Sequence, residues 1–204
     1  MIQMLFQNPT VFFLLATALI VSISVHEFSH AFAANRLGDP TAKNMGRLTL
    51  NPRAHLDPTG TLFLLFVGFG WGRPVPFNPL NLKNPKRGAA LISLAGPASN
   101  LVLATLLSLI FRLFNVGALL GTFLYMTILF NLMLGFFNLI PLGPLDGNKI
   151  VFGFLPNRLA VQWVEFQKYG TYILLFLILF DFTGKIVGPL VDIAMKILGL
   201  NLSL

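Results

Sequence analysis

No cysteine occurs anywhere in this chain, so neither a disulfide framework nor a thiolate metal site can be built from it. Any metal must be held by histidine, carboxylate or similar nitrogen and oxygen ligands. Charge is scarce as well. Charged residues make up 10% of the 204 positions against 55% hydrophobic ones; seven are acidic, and there are only three histidines. Such a composition argues against an ordinary soluble domain and marks a chain with several membrane-embedded segments. The net charge of +7 does not point to nucleic acid. The basic residues form no dense block with interleaved aromatics and are spread through the connections between apolar runs, the pattern that sets membrane orientation. The expected surroundings are therefore the lipid bilayer, with no nucleic acid partner, and the 21 Phe read as lipid-facing and core side chains.

Apolar runs occupy about residues 11–34, 61–71, 88–114, 119–140, 169–180 and 186–200. The expected fold class is an all-α polytopic membrane protein with five to six hydrophobic segments, forming a single membrane-embedded domain over residues 1–204. The second run is too short to cross a hydrocarbon core about 30 Å thick as a straight helix and is expected to re-enter. The sixth carries Asp192 and Lys196 and is expected to lie partly in the interface. Nothing before Arg36 is basic, so the first run lacks the charged start of a signal peptide and is expected to be retained. Small extended segments are expected near the cytoplasmic side. Residues 46–52 read as a short strand ending in a turn. Pro74, Pro76 and Pro79 confine residues 72–79 to an edge strand or an irregular extended stretch. Such an edge could pair with an unwound substrate; a Pro-rich connector is the plainer alternative. Gly117 and Gly121 form G-x-x-x-G, a weak packing signal.

Orientation follows from charge. Placing residues 36–58, 71–88 and 141–168 in the cytoplasm puts eleven of the fourteen Lys and Arg there, leaving Arg112, Lys185 and Lys196 elsewhere. The expected location is the cell membrane, multi-pass, with the site described next reached from the cytoplasm.

Two of the three histidines belong to His26-Glu27-Phe28-Ser29-His30, an H-E-x-x-H motif inside the first run. Positions i and i+4 share a helix face, so both imidazoles can bind one metal ion, and Glu27 is placed to act as general base on water at that metal. With so few His and Glu, chance would produce the motif about four times in ten thousand such chains. Ionisable groups at membrane depth are costly and mark functional sites. Two histidines leave a catalytic zinc one protein ligand short. The remaining candidates are Asp39, Asp57, Asp146, Glu165, Asp181, Asp192 and His55. Asp146 stands out because it follows a run broken by Pro141, Gly143 and Pro144, and broken helices are tolerated at membrane depth where they line a cavity. An ordinary helix end with a capping Asp would look the same. His55, in a basic polar connector, reads as a surface or supporting residue.

His26-Glu27-Phe28-Ser29-His30, then Gly96-Pro97-Ala98-Ser99-Asn100, then Asn138-Leu139-Ile140-Pro141-Leu142-Gly143-Pro144-Leu145-Asp146-Gly147 occur in that order. Together they resemble the site-2 protease family (peptidase family M50), in its short form without PDZ or CBS domains. The resemblance covers nearly the whole chain and implies an intramembrane zinc metalloprotease. It would hydrolyse peptide bonds within or near transmembrane segments of membrane proteins. One Zn2+ per chain would be bound by His26, His30 and Asp146, with Glu27 activating the water. One departure is visible: the family often writes its last motif N-x-x-P-x-P-x-x-D-G, and the middle Pro is here Gly143, with the Asn138-to-Asp146 spacing kept. Asn100, Gly96 and Asn138 are candidates for substrate or oxyanion binding. Asn100 could instead be helix-packing glue, with Gly96 permitting close approach. A transmembrane substrate must unwind before attack, because its peptide bonds are hidden in helical hydrogen bonds. Rival readings are a polytopic ion transporter or channel subunit and a catalytically inactive scaffold, which would need no Glu27.

Overall fold

The computed structural model describes residues 2–67 and 70–200. The helices are α1 (Ile2–Gln7), α2 (Pro9–Arg36), α3 (Thr41–Asn44), α4 (Pro58–Val67), α5 (Pro85–Leu113), α6 (Ala118–Asn138), α7 (Asp146–Phe154), α8 (Asn157–Gln167), α9 (Gly170–Leu179) and α10 (Phe182–Ile197). The two longest begin alike. Asn8 and Asn84 accept hydrogen bonds from the N–H groups of Val11 and Arg87 at 3.2 and 3.1 Å, and Pro9 and Pro85 occupy the first turn, where a missing N–H costs nothing.

Length and composition qualify α2, α5 and α6 to cross a membrane, while α9 and α10, bent by 78° to each other, make a fourth span only if taken as one broken unit. Of the five to six hydrophobic segments expected, three or four are thus long and apolar enough to cross, among the described residues. The reason is length. α4 and α9 have ten residues each, about 15 Å of helix against a core of about 30 Å. Runs 169–180 and 186–200 are two arms of one bent pair. The excursion through α4 closes on itself: Leu56 and Gly72 form an antiparallel bridge, and Arg73 N–H donates to His55 C=O at 2.7 Å. Residues 68 and 69 of that run lie outside the described residues.

That bridge is isolated, and no strand forms among the described residues. Residues 46–52, expected as a strand, turn at Gly46 (φ +69°) and run irregularly into a 3-10 turn at Pro52–Ala54. Residues 73–78 are extended but unladdered, since Pro74 and Pro76 have no N–H to offer. Side chains hold this strap instead. Val75 N–H donates to Glu27 Oε2 (3.1 Å), Asn78 N–H to Asp39 Oδ2 (2.6 Å), and Arg47 Nη2 to Arg73 C=O. The N–H groups of Arg73, Val75 and Asn78 are therefore spent within the chain, which counts against a substrate-pairing edge here. Asp39, fully buried, also accepts from Thr41 and from Asn81 Nδ2 (2.7 Å). Burial alone would raise its carboxyl, but these hydrogen bonds hold it below the usual range.

α2, α5 and α6 pack together at the centre. Ala18, Ala31 and Ala34 of α2 and Gly96 and Ala104 of α5 are buried, and small residues let membrane helices approach closely. The G-x-x-x-G pair is no such seam: a Cβ at Gly117 would meet nothing within 4 Å, and one at Gly121 only Val116 and Phe111 nearby in sequence. An apolar cluster joins Ile128 and Leu132 of α6 to Leu174 of α9 and to Val187, Val191 and Met195 of α10. Phe13, Leu106 and Leu179 stay exposed, as a hydrocarbon-facing surface requires.

Candidate metal centre

His26 and His30 lie one turn apart on α2, and Gly96 of α5 faces both rings. A Cβ at Gly96 would sit 2.4 Å from His30 Nε2 and 2.7 Å from His26 Cε1, so only glycine leaves room for the pair. Pro97, inside α5, has no N–H to return to the helix, which leaves the Ser93 carbonyl without its helical donor beside the cavity. α6 stops at Asn138; the chain turns through Gly143 (φ +52°) and restarts as α7 at Asp146. Gly147 is needed there because a Cβ would collide with the carbonyls of Leu139 and Ile140, both at 2.4 Å. The break thus carries a carboxylate back under α2.

The three side chains meet at one point. His26 Nε2 and His30 Nε2 are 3.0 Å apart, and each is 3.2 Å from Asp146 Oδ2. His26 Nδ1 contacts Asn100 Oδ1 at 2.6 Å and His30 Nδ1 contacts Ile92 C=O at 2.7 Å. Both contacts are oxygens without hydrogens, so each ring keeps its N–H at Nδ1 and turns a lone pair inward at Nε2. Asp146 Oδ2 is buried without a hydrogen-bond partner. Three lone-pair atoms at such distances repel unless a cation lies among them. A proton shared between an imidazole and the carboxylate is one such cation. A zinc ion fits better: tetrahedral ligands at about 2.0–2.1 Å stand about 3.3 Å apart, and two imidazoles with one carboxylate form a regular catalytic donor set. This is the one such group among the described residues.

Glu27 lines the same cavity of about 110 Å³, together with Ser93, Asn138 and Lys149. That volume admits a few waters or a short extended peptide and excludes a helix about 10 Å across. Of the other candidates, Asn138 borders the cavity and donates Nδ2 to Leu134 C=O at 3.0 Å. Asn100 does not face a substrate. Its carbonyl takes His26, and its amide hydrogens go to Ser22 C=O (3.1 Å) and Asn131 Oδ1 (2.7 Å), leaving nothing for an oxyanion. Gly96 provides clearance for the histidine rings. His55 is not on the surface: it is fully buried, with Nε2 donating to Thr49 C=O at 2.7 Å. Asn131 and Ser22 were missed by sequence reasoning, although a polar residue within an apolar run was a usable signal for both.

A His-His-Asp group able to hold a metal, set beside a carboxylate among helices long and apolar enough to cross a membrane, is the arrangement expected of a membrane-embedded metallohydrolase. The comparisons narrow that class. The model of peptidase family M50 matches residues 112–180. YwhC of Bacillus subtilis (strain 168), named as a candidate zinc metalloprotease, is 39% identical over 187 residues, which is 87% of this chain and 85% of that protein. Rip2 of Mycolicibacterium smegmatis, named likewise, is 41% identical over 102 residues, 48% of this chain and 39% of Rip2. The zinc metalloprotease MJ0392 of Methanocaldococcus jannaschii is 28% identical over 152 residues, 74% of this chain and 37% of its own length. The chain belongs to peptidase family M50, the site-2 protease family. No solved structure matches it.

Proposed function

We propose that this protein is an intramembrane zinc metalloprotease in which His26, His30 and Asp146 hold one Zn2+ and Glu27 is the general base. The 204 residues act as one membrane-embedded unit that cuts transmembrane proteins within or near their spans. The observation that carries this reading is the convergence of two imidazole lone pairs and an unpartnered carboxylate oxygen within 3.2 Å of one another. When bound, zinc supplies a Lewis acid that polarises the scissile carbonyl and acidifies water. Glu27 takes a proton from the attacking water and returns it to the leaving nitrogen as the C–N bond breaks. The hydrogen bond from Val75 N–H to Glu27 Oε2 fixes the carboxylate's orientation over the cavity. Asn138, at the cavity wall, is placed to bind substrate backbone. The substrate enters unwound, because the cavity excludes a helix.

Glu27→Gln should lower cleavage of a model transmembrane substrate by about a hundredfold or more while zinc content stays near wild type. His26→Ala and Asp146→Ala should lose both. Turnover of Glu27→Gln within tenfold of wild type would assign the base elsewhere.

The cavity opens to the cytoplasm and α4 re-enters, on the strength of the eleven Lys and Arg gathered on that side. His26 lies ten residues from the end of α2, about 15 Å into the bilayer. Single cysteines replacing Asn44 and Lys83, both exposed, should escape an impermeant thiol reagent in intact cells and react in opened membranes. Labelling at position 83 but not 44 in intact cells would mean that the α4 segment crosses.

A further inference from the structure

The deepest polar groups of the helix bundle lie behind the histidines, away from the cavity. Ser22, Asn100, Asn131 and Thr127 are each 1% exposed or less. They come from three helices: Ser22 from α2, Asn100 from α5, and Asn131 and Thr127 from α6. The general base and the cavity do not use them, yet such groups at membrane depth are retained only for a reason.

Their hydrogen bonds have one self-consistent direction, and backbone carbonyls fix it. Ser22 Oγ donates to Ala18 C=O at 2.8 Å, which leaves its lone pairs as the acceptor. Asn131 Nδ2 spends one hydrogen on Thr127 C=O (2.8 Å) and the other on Ser22 Oγ (2.8 Å), so its Oδ1 must face Asn100. Asn100 Nδ2 then donates to Asn131 Oδ1 (2.7 Å) and to Ser22 C=O (3.1 Å). Its Oδ1 is left with one task, accepting from His26 Nδ1 at 2.6 Å. Every amide and hydroxyl hydrogen in the chain is used once, and reversing any member would set two acceptors or two donors face to face. The far end is a His26 ring whose Nε2 lone pair points at Asp146.

We propose that Asn131, acting through Asn100, is a positioning residue that sets the tautomer and ring orientation of His26 and keys α6 to α2. The proposal rests on the reading of His26 as a zinc ligand. Asn131 makes the link functional because α6 also leads, through the break at residues 139–145, to Asp146. One amide therefore registers the helix behind the carboxylate ligand against the helix carrying both histidine ligands. His30 has no part in this chain, since its Nδ1 is anchored on Ile92 C=O of α5. The proton on its Nδ1 is a built-in control.

The test uses full-length protein in lipid nanodiscs with 15N-labelled histidine; the chain has only three. In wild-type metal-free protein, His26 and His30 should both carry a proton on Nδ1, whether or not a further proton is shared among their Nε2 atoms and Asp146. Asn131→Leu should give His26 a mixture of tautomers while His30 keeps its proton on Nδ1, and zinc release to a chelator should accelerate about ten- to one-hundred-fold. Asn131→Asp keeps an acceptor oxygen toward Asn100 and should restore both readouts to within about threefold. If Asn131→Leu does not fold, Ser22→Ala removes only the outer partner and should still shift His26 measurably more than His30. Unchanged His26 signals and unchanged zinc release in folded Asn131→Leu or Ser22→Ala would reduce these residues to helix packing and overturn the proposal. Wild-type protein that binds no zinc but shows the His26 shift in Asn131→Leu would sink the metal-site reading and leave the positioning chain standing.

Discussion

The two helix junctions of α6 are built on opposite principles. Toward α2 and α5 it presents Asn131 and Thr127, both buried and hydrogen-bonded across or along the bundle. Toward α10 it is apolar: Ile128 and Leu132 share a buried cluster with Val187, Val191 and Met195 of α10, with Leu174 of α9 and with Ala104 of α5. The first junction is directional, because a hydrogen bond tolerates a few tenths of an ångström and a limited angle. The second is defined by volume and tolerates repacking among apolar residues. A site that must keep three ligand atoms within 3.2 Å of one another needs the directional kind on its own side. The bend of 78° between α9 and α10 costs the site nothing, since no ligand rides on it.

The sharpest challenge to that contrast is Gly96→Ala. Its methyl would meet the His30 and His26 rings at under 3.0 Å, and both rings are anchored behind by Asn100 and Ile92 and so cannot swing away. Zinc retention should fall by about tenfold or more, with helix content kept. The matched change on the other side, Gly188→Ala in α10, meets nothing within 4 Å and should leave zinc content untouched. Equal zinc loss in both variants would erase the distinction between the junctions. Met195→Ala is the complementary and smaller test. Met195 is fully buried in the apolar junction, so the variant should lose about 2 kcal/mol or more of stability in denaturation in lipid. Zinc content and the ratio of cleavage to bound zinc should stay near wild type. A drop in that ratio beyond about threefold would mean that the apolar side also tunes the site.

Much of the site was legible because its chemistry is local. H-E-x-x-H fixes two imidazoles on one helix face whatever surrounds it, and the acid after Pro141 and Pro144 stood out because prolines end helices. The candidates whose alternatives stayed open depended on distant neighbours. Asn100 looked free to meet a substrate until its hydrogens were found on Ser22 and Asn131, 78 and 31 residues away. His55 read as either a surface or a supporting residue because its connector is polar, and the fold, which buries it, excludes the first. The strand expected at 46–52 failed for want of a partner edge, which no local pattern reveals.

The sequence by itself determined that this chain carries helices apolar enough for a membrane, that α2 holds a histidine pair spaced to share one metal with a carboxylate between them, and that a Pro-broken helix supplies an acid. Those conclusions rest on hydropathy, helical periodicity and the absence of cysteine, all of which act over a few turns. Only the tertiary structure decided that Asp146 closes the ligand triangle, that Gly96 is clearance for the rings, and that Asn100 and Asn131 stand behind His26. It also decided that the last two apolar runs bend by 78° against each other. These outcomes depend on which helix faces meet, and that choice belongs to long-range packing and hydrogen bonding, which no short stretch of residues encodes alone.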